Sequence, residues 1–415
     1  MHDKIKQDKQ IIKFCFYGFF KNLKFFEPYL LVYLISLGHS LFTIGSLFAF
    51  REIIVYVFEI PSGMIADHYG KRKELLLCFA FYIVSFVFFF IGSFWALVLA
   101  VLFYGLGEAF RSGTHKAMII SFLEQRGWAD EKTFVYGRTR SFSLLGSALS
   151  ALLSIVFVLN LPGLRFIFLI AIIPYIADFF LILSYPDELD EPSGAEYSFS
   201  AFKELGIGHL KSLRTNRKLK SVLLSSALYD GVFKTIKDYI QPIVLVLVMT
   251  TGLFRMGSLE VDQRGKVILG VMYFVFYMCS SFVSRNLYLV TRRISAKWLF
   301  DISFIVSGAI FLSLAYFIRT GTVVGITVCF FLLYILKDGR RPLFVEIASR
   351  YMKKNERATM LSIESQLRAL LMIVFAPLCG FIADSFSIGT LFVVLSLLYF
   401  VFYIINNLLI REVRN

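Results

Sequence analysis

The chain has 415 residues, of which 58% are hydrophobic and 47 are phenylalanine. A water-soluble domain of this length needs more polar side chains to cover its surface, so the composition excludes an ordinary soluble protein and indicates a membrane protein. The formal net charge of +14 would suggest a nucleic-acid partner if the basic residues formed one patch. They are instead spread over many short loops.

Long apolar runs separated by short polar breaks follow one another along the whole chain. A helix needs about 20 apolar residues to cross the hydrocarbon core, and continuous runs without strict alternation exclude a transmembrane β-barrel. The pattern therefore predicts an all-α membrane protein with twelve transmembrane helices. The predicted spans are 12–37, 42–67, 74–94, 96–123, 138–160, 164–184, 219–250, 265–289, 298–318, 322–348, 357–384 and 388–410.

The loops between these spans differ in their content of lysine and arginine. If the amino terminus lies inside, the cytoplasmic loops hold most of the loop basic residues. This asymmetry is typical of membrane proteins, whose short cytoplasmic loops are rich in basic residues, and it predicts that both termini are cytoplasmic. No nucleic-acid partner is then needed to explain the net charge. The outer loops hold only Arg165, Arg255, Arg264, Lys266 and Arg319.

Residues that would support an enzyme, a metal site or a cofactor are not grouped in the sequence. The five cysteines are isolated within apolar runs, and the five histidines are scattered without ligand spacing or a nucleophile beside them. No phosphate-binding Walker loop is present, so ATP-driven transport is unsupported. The sequence predicts a non-enzyme that needs no metal and no cofactor.

The longest polar stretch divides the chain into two groups of six spans. The predicted domains are an N-terminal six-helix bundle (1–184), a cytoplasmic linker (185–218) and a C-terminal six-helix bundle (219–415). Charged residues recur between the halves at fixed shifts, which indicates an internal duplication. The recurring pairs are Gly18 with Gly231, Lys21 with Lys234, Lys24 with Lys237, Tyr104 with Tyr334, Glu108 with Asp338, and Arg111 with Arg341.

The segment Gly63–Leu75, at the end of the second predicted span, reads GMIADHYGKRKEL. It resembles the signature loop between helices 2 and 3 of the major facilitator superfamily. The resemblance implies two pseudo-symmetric six-helix bundles, transport by alternating access and a location in the bacterial inner membrane. It also implies that this loop is a conformational gate, although His68 stands where arginine is usual. The predicted gating residues are Gly63, Asp67, Gly70, Lys71 and Arg72.

Two further features bear on the branch of this family. The segment Glu356–Ser362 looks like one that is frequent in drug-exporter-like members. The Gly-Pro antiporter signature of the fifth helix is absent, because Leu144–Ala148 contains no proline. This absence weakens a simple assignment to proton-driven drug antiport.

Charged residues collect in spans 1, 4, 7 and 10, which the resemblance implies line a central cavity. A charge at the bilayer centre is costly, so these residues are expected to face a cavity or a partner. Their positive surplus predicts an anionic or zwitterionic metabolite held between Lys24 and Lys237. The predicted substrate-binding residues are Lys21, Lys24, Arg111, Lys234, Lys237, Lys337 and Arg341, and the predicted proton-coupling residues are Glu27, Glu108, His115, Asp238 and Asp338.

Other interpretations remain open for the same residues. The charges could form an ion-pair network that takes no part in substrate binding, and the transporter could export lipophilic drugs. A non-transporting sensor with this fold is a remoter alternative. The expected partners are a small-molecule substrate, H⁺ or an exchanged solute, and the lipid bilayer, with the protein a monomer as is usual in the family. Arg51 is expected to pair poorly with Glu52, and Asp178 and Arg368 have no assigned role.

Overall fold

The computed structural model describes residues 2–190, 217–251, 260–291, 293–351 and 357–411. These residues are almost entirely helical, and no strand occurs in the described ranges. Eight stretches within them are long and apolar enough to cross a membrane. The all-α membrane fold predicted from the sequence is therefore confirmed. Most of the predicted linker, at 191–216, lies outside the described residues.

Nine helices form in the first part of the chain, because the apolar runs there are long and their interiors hold few helix-breaking residues. Two of them contain an internal proline, Pro61 in the fourth helix and Pro174 in the ninth. The helices are α1 (His2–Gln7), α2 (Lys9–Lys21), α3 (Leu30–Ser36), α4 (Leu41–Tyr69), α5 (Lys71–Ile91), α6 (Phe94–Arg111), α7 (Thr114–Gln125), α8 (Lys132–Asn160) and α9 (Phe166–Leu183).

The helices of the second part are similar in length. Internal prolines occur at Pro342 and Pro377. The described helices are α10 (Arg217–Ile236), α11 (Ile240–Thr251), α12 (Val261–Thr291), α13 (Ala296–Thr320), α14 (Val323–Tyr351), α15 (Arg357–Ser385) and α16 (Ile388–Arg411).

Two predicted spans are interrupted where the sequence analysis placed continuous helices. In the first, α2 ends at Lys21 and α3 begins at Leu30, with a 3-10 turn at Glu27–Tyr29. Pro28 lacks a backbone N–H and so cannot continue the α-helical ladder through this point. In the seventh, α10 ends at Ile236 and a 3-10 turn at Lys237–Tyr239 leads into α11.

The fourth predicted span is also broken, at a glycine. Here α6 ends at Arg111 and α7 begins at Thr114, and Gly113 between them has φ = +84°. Glycine enters this left-handed region without the steric cost that a side chain imposes. All three interruptions lie beside charged residues that were selected from the sequence. These residues therefore lie where the regular backbone hydrogen bonds of the helix are interrupted.

The contacts between Cα atoms divide the chain into two compact units. The described residues of 1–33, 50–196 and 266–277 form one unit, called here the N-terminal unit. Those of 34–49, 197–265 and 278–415 form the other, the C-terminal unit. Helices α4 and α12 therefore each contribute to both units. The division of the chain at a central linker stays a prediction.

Aromatic side chains fill the core of the N-terminal unit. Tyr82 of α5 lies over Gly107 of α6, where an added Cβ would come 2.9 Å from the Tyr82 ring. Phe86 meets Tyr175 of α9 edge to face, with ring centroids 4.8 Å apart. Such contacts add to the burial of large apolar surfaces. They bring α5, α6 and α9 together around the polar groups of α2.

Helices α4 and α15 approach each other through glycine in the C-terminal unit. A Cβ added to Gly45 would lie 2.2 Å from the carbonyl oxygen of Ala376, and one added to Gly380 would lie 2.2 Å from that of Leu41. Small residues permit this close backbone approach, which is a common basis of helix packing in membranes. Side chains larger than hydrogen do not fit at either glycine.

We expect the Gly380→Ala substitution to lower stability because the new methyl group forces α4 and α15 apart, and overpacking of this kind costs about 1–3 kcal/mol. The matched control is Gly63→Ala in α4, where an added Cβ meets no atom within 4 Å. The melting temperature of each purified variant in detergent measures the effect. Equal melting temperatures for the two variants would contradict the prediction.

Candidate functional site

A carboxylate on α6 joins two other polar groups at the centre of the N-terminal unit. Glu108 accepts a hydrogen bond from the Tyr82 hydroxyl at 2.7 Å and one from the Arg111 guanidinium at 2.8 Å. Arg111 also donates from Nε to the Tyr82 hydroxyl at 3.3 Å. Glu108 and Arg111 are three residues apart, so they lie on the same face of α6. The charge of Arg111 is therefore largely neutralised by Glu108.

Two lysines from the interrupted first span lie beside this pair. Lys24 donates to the neutral Tyr104 hydroxyl at 2.9 Å and lies 5.6 Å from the centre of that ring. The ammonium group of Lys21 makes no hydrogen bond or ion pair to any described residue. The charges of Arg111, Glu108 and Lys24 all act on Lys21, which places these groups near one another. Lys21, Lys24, Arg111 and Glu108 are called the basic cluster below.

Two predicted proton-coupling residues border the basic cluster. His115, at the start of α7, is buried, and its ring stacks on Tyr17 with centroids 3.5 Å apart. The His115 Nε2 atom lies 3.4 Å from the Tyr185 hydroxyl. Glu27 lies in the 3-10 turn and its charge acts on Lys24. The structure thus brings Lys21, Lys24, Glu108, Arg111 and His115 into one region of the N-terminal unit, although α6 ends at Arg111 and His115 lies on the next helix.

Basic residues in the C-terminal unit are paired with adjacent carboxylates. Lys237 donates to Asp238 at 3.0 Å, and Gln241 donates to the same oxygen at 3.3 Å. Lys337 donates to Asp338 at 2.7 Å. Long side chains on neighbouring residues can curl towards each other even though their Cα–Cβ bonds diverge. The same reach pairs Arg51 with Glu52 at 2.8 Å in the N-terminal unit, so the expectation that this pair is unfavourable was wrong.

A second network in the C-terminal unit centres on a carboxylate that the sequence analysis did not select. Glu364 of α15 has a fully buried side chain and accepts from Ser226 at 3.1 Å and from Arg341 at 2.9 Å. Arg368, one turn further along α15, lies 3.4 Å from Glu364 and 3.8 Å from Asp230. The i, i+4 spacing of Glu364 and Arg368 was the available sequence signal.

Arg340 occupies a separate, apolar environment. Only 3% of the residue is exposed, and its guanidinium lies 3.7 Å from the Phe300 ring centre and 4.2 Å from that of Tyr229. It donates to the Ser303 hydroxyl and to the backbone oxygen of Phe300. Hydrogen bonds and aromatic faces stabilise the buried cation here. Arg340 therefore ties α10, α13 and α14 together and offers no accessible binding group.

The predicted clamp residues belong to different units: Lys24 lies in the N-terminal unit and Lys237 in the C-terminal unit. Lys234 also has an interaction partner. The joint action of Lys24 and Lys237 on one substrate stays a prediction.

The gate motif, Gly63–Leu75, covers the end of α4 and the start of α5. Gly70 separates the two helices with φ = +105°, a conformation that favours glycine. Arg72 donates to the Tyr185 carbonyl at 2.7 Å, and its backbone N–H donates to Asp190 at 2.8 Å. The gate motif thus contacts the segment after α9 through Arg72. Arg72 directly follows Lys71, the first residue of α5. The side chain of Asp67 lies outside the described residues.

A copy of the first five residues of the gate motif occurs at the end of α15. Gly380–Asp384 reads GFIAD, whereas Gly63–Asp67 reads GMIAD. The Asp384 carboxylate accepts the backbone N–H groups of Leu41 at 3.1 Å and of Phe42 at 2.7 Å. These N–H groups begin α4 and have no partner within the helix, and an anion there also interacts favourably with the helix dipole. The repeated pentapeptide was the signal that could have identified Asp384.

No group of three or more histidine, cysteine, aspartate or glutamate residues suited to a metal ion occurs among the described residues. Within each unit, ionisable groups such as Glu108 and Glu364 instead form hydrogen bonds and ion pairs with side chains of the same unit. This chemistry suits binding of a polar solute and proton exchange.

We expect the Asp190→Ala substitution to destabilise the protein by about 1 kcal/mol, because the start of α5 loses the carboxylate that accepts two of its free N–H groups. The matched control is Asp187→Ala, which removes the other carboxylate that pairs with Arg72. The Asp187 side chain is 92% exposed, and exposed ion pairs contribute little. The melting temperatures of both variants in detergent test this prediction. A larger decrease for Asp187→Ala than for Asp190→Ala would contradict it.

Comparisons with known proteins show which family and fold this chain shares. A Bacillus subtilis protein described as an uncharacterised MFS-type transporter, YxaM, is 23% identical over 375 residues, which cover 89% of this chain and 88% of the relative. A variant of the nucleoside transporter NupG superposes with a TM-score of 0.77 at 14% identity, covering 96% of this chain and 99% of that structure. A POT family transporter in complex with 5-aminolevulinic acid superposes with a TM-score of 0.68 at 13% identity, covering 98% and 97% of the two chains.

The sequence profile described as Major Facilitator Superfamily matches residues 11–363. That range covers most of the chain, including the gate motif and the basic cluster. Two structural comparisons at low identity show the same fold, and the bacterial relative is named as a transporter of this class. The chain therefore belongs to the Major Facilitator Superfamily, and it is an integral membrane transporter of a small-molecule substrate rather than an enzyme.

Proposed function

We propose that this transporter carries an anionic or zwitterionic metabolite across the bacterial inner membrane by alternating access. The observation that carries the proposal is the state of Lys21 and Lys24 in the basic cluster. Neither ammonium group is hydrogen-bonded to a carboxylate among the described residues. Both lie in the first span predicted from the sequence (12–37), where an unneutralised charge would be costly.

The hydrogen bonds within the basic cluster indicate which of its charged groups already have a partner. Glu108 is occupied by Arg111 and Tyr82, so it is not available to either lysine as a hydrogen-bond acceptor without breaking those contacts. Lys24 is held by the neutral Tyr104 hydroxyl. A carboxylate or phosphate group of a substrate would provide acceptors for both lysines. Charge-assisted hydrogen bonds of this kind are stronger than those between neutral groups.

The C-terminal unit supports a different role for its charged residues. Lys237 and Lys337 each have an adjacent carboxylate, and Arg341 and Arg368 share Glu364. These contacts fit the ion-pair interpretation, in which charges exchange partners as the transporter changes state. We therefore place the primary anion contacts on Lys21 and Lys24. The other basic residues would engage the substrate only after leaving their present partners, and these are Arg111, Lys234, Lys237, Lys337 and Arg341.

The gate motif and the copy of its pentapeptide are proposed to stabilise alternate states of the transporter. Asp384 already caps α4, and Asp67 occupies the equivalent position of the repeated sequence. Gly63, Gly70, Lys71 and Arg72 complete the gate in this proposal. The distribution of basic residues supports cytoplasmic termini. A monomer, bundles at 1–184 and 219–415, and a linker at 185–218 complete the proposed organisation.

We expect organic anions to raise the melting temperature of the purified protein, because a ligand that binds only the folded state stabilises it. Lactate, succinate and inorganic phosphate serve as anions, alanine as a zwitterion and tetraphenylphosphonium as a lipophilic cation. Lys21→Gln should weaken anion binding about tenfold to a hundredfold, since it removes a charge-assisted hydrogen bond.

The matched control is Lys220→Gln, which alters an exposed lysine of α10 and should bind anions as the unmodified protein does. Stabilisation by tetraphenylphosphonium alone, unaffected by Lys21→Gln, would contradict the proposal and favour efflux of lipophilic compounds. Equal anion affinity in Lys21→Gln and Lys220→Gln would show that Lys21 does not bind the anion.

A further inference from the structure

One carboxyl group of the N-terminal unit is completely enclosed and has no hydrogen-bond partner. Asp178 lies on α9 with 0% of the residue exposed. Neither of its carboxyl oxygens is hydrogen-bonded to any described residue. The Tyr17 hydroxyl interacts electrostatically with Asp178. It is also buried and has no hydrogen-bond partner in the described part of the chain.

The physical cost of this arrangement depends on whether Asp178 is charged. A buried carboxylate without donors is strongly unfavourable, and such groups usually take up a proton or pair with a cation. Lys21 is the cation whose charge acts on Asp178. It is also the member of the basic cluster that has no hydrogen-bonded partner among the described residues. Asp178 therefore has two ways to lower its energy: to bind a proton or to pair with Lys21.

The carboxylates selected from the sequence have a different environment. Glu108 accepts from Arg111 and Tyr82, Asp238 accepts from Lys237 and Gln241, and Asp338 accepts from Lys337. Donors of this kind stabilise the charged form of a carboxyl group. Asp178 lacks such donors in the described structure, so it is better suited than these residues to gain and lose a proton during transport.

We propose that Asp178 is a proton-binding site that exchanges its proton for an ion pair with Lys21. When Asp178 is deprotonated, its carboxylate pairs with the Lys21 ammonium group. When a substrate anion binds Lys21, that pair breaks and Asp178 takes up a proton that comes from the solvent. The proton returns to water when the anion leaves and Lys21 again neutralises the carboxylate.

This inference rests on the proposed anion site and specifies how it is coupled. The substrate anion and the Asp178 carboxylate compete for one cation, so anion binding and proton binding favour each other. The anion-bound protein then holds one more proton than the free protein. By linkage, anion affinity increases as pH falls and decreases as pH rises. Anion and proton travel in the same direction under this scheme.

Other titratable groups lie in the core of the N-terminal unit near Asp178, and they also affect the pH dependence that the tests measure. Helix α2 contributes Tyr17 as well as Lys21, α9 contributes Tyr175, and Tyr185 follows that helix. The titratable groups that α5 brings to the same core are Cys78 and Tyr82, and α8 brings Arg138 to Cys15. These groups are present in every variant used to test Asp178 and so cancel in the comparison.

A first test needs no ligand and compares Asp178→Asn with the unmodified protein. A carboxamide is the neutral isostere of the protonated carboxyl group, so this variant should fold. If native Asp178 holds a proton that the unfolded chain does not, the melting temperature of the unmodified protein should fall more steeply with rising pH than that of Asp178→Asn. Asp130→Asn, which alters an exposed aspartate in the 3-10 turn between α7 and α8, should follow the unmodified protein. Equal slopes for all three, or failure of Asp178→Asn to fold, would overturn the proposal.

A second test measures coupling with succinate, lactate and inorganic phosphate as individual probes. Calorimetry in buffers of different ionisation enthalpy counts the protons taken up on binding. We expect uptake of about one proton and an affinity that increases by up to about tenfold per unit of falling pH. Asp178→Asn should bind the same probe without proton uptake, and the exposed-site control Asp130→Asn should take up the proton.

The outcomes separate this inference from the function on which it rests. Anion binding without proton uptake in the unmodified protein would overturn the role of Asp178 and leave the anion site standing. Proton uptake that persists in Asp178→Asn would do the same. If no anion binds, the proposed function and its coupling both fail, whereas the ligand-free comparison still decides whether Asp178 carries a proton.

Discussion

The cost of an unneutralised charge inside a membrane constrains every ionisable side chain in the spanning helices of this protein. Each such group has to find an opposite charge, a set of hydrogen-bond donors or acceptors, or a proton. Arg340 is stabilised by aromatic rings and oxygen acceptors, and Glu364 by two arginines and a serine. Lys21 and Asp178 lack an equivalent arrangement in the described structure, which singles them out as groups available for a ligand or a proton.

The helical interruptions follow from a related constraint. Backbone groups in hydrocarbon need internal hydrogen bonds, so a broken helix is tolerated only where protein or water covers the break. The first and fourth predicted spans break at 22–26 and at Gly113, close to Lys21, Lys24 and Arg111. The breaks therefore coincide with the charged groups, and both are kept away from lipid. The aromatic core formed by α5, α6 and α9 provides the enclosure.

The two GxIAD sequences show how one short pattern can serve at distant positions of the chain. At Asp384 the carboxylate satisfies the first N–H groups of α4, while Gly380 permits the close approach of α15 to Leu41. The glycine and the aspartate thus act together: one allows proximity and the other supplies the acceptors. Near Gly70 a separate carboxylate, Asp190, performs the same capping for α5. Capping by side chains from distant segments links helices without placing a charge in lipid.

The membrane class, the all-helical fold and the family were predictable from the sequence alone, whereas the roles of the selected charged residues stay predictions. Apolar run length, the gate motif and the i, i+3 spacing of Glu108 and Arg111 are local properties, and local properties can be predicted from one sequence. Only the tertiary structure decided which charges are already paired, because Glu364, Arg368 and Asp178 meet their surroundings through packing of helices far apart in sequence. It also decided where the long apolar runs break, since a break is stable only when neighbouring helices enclose it.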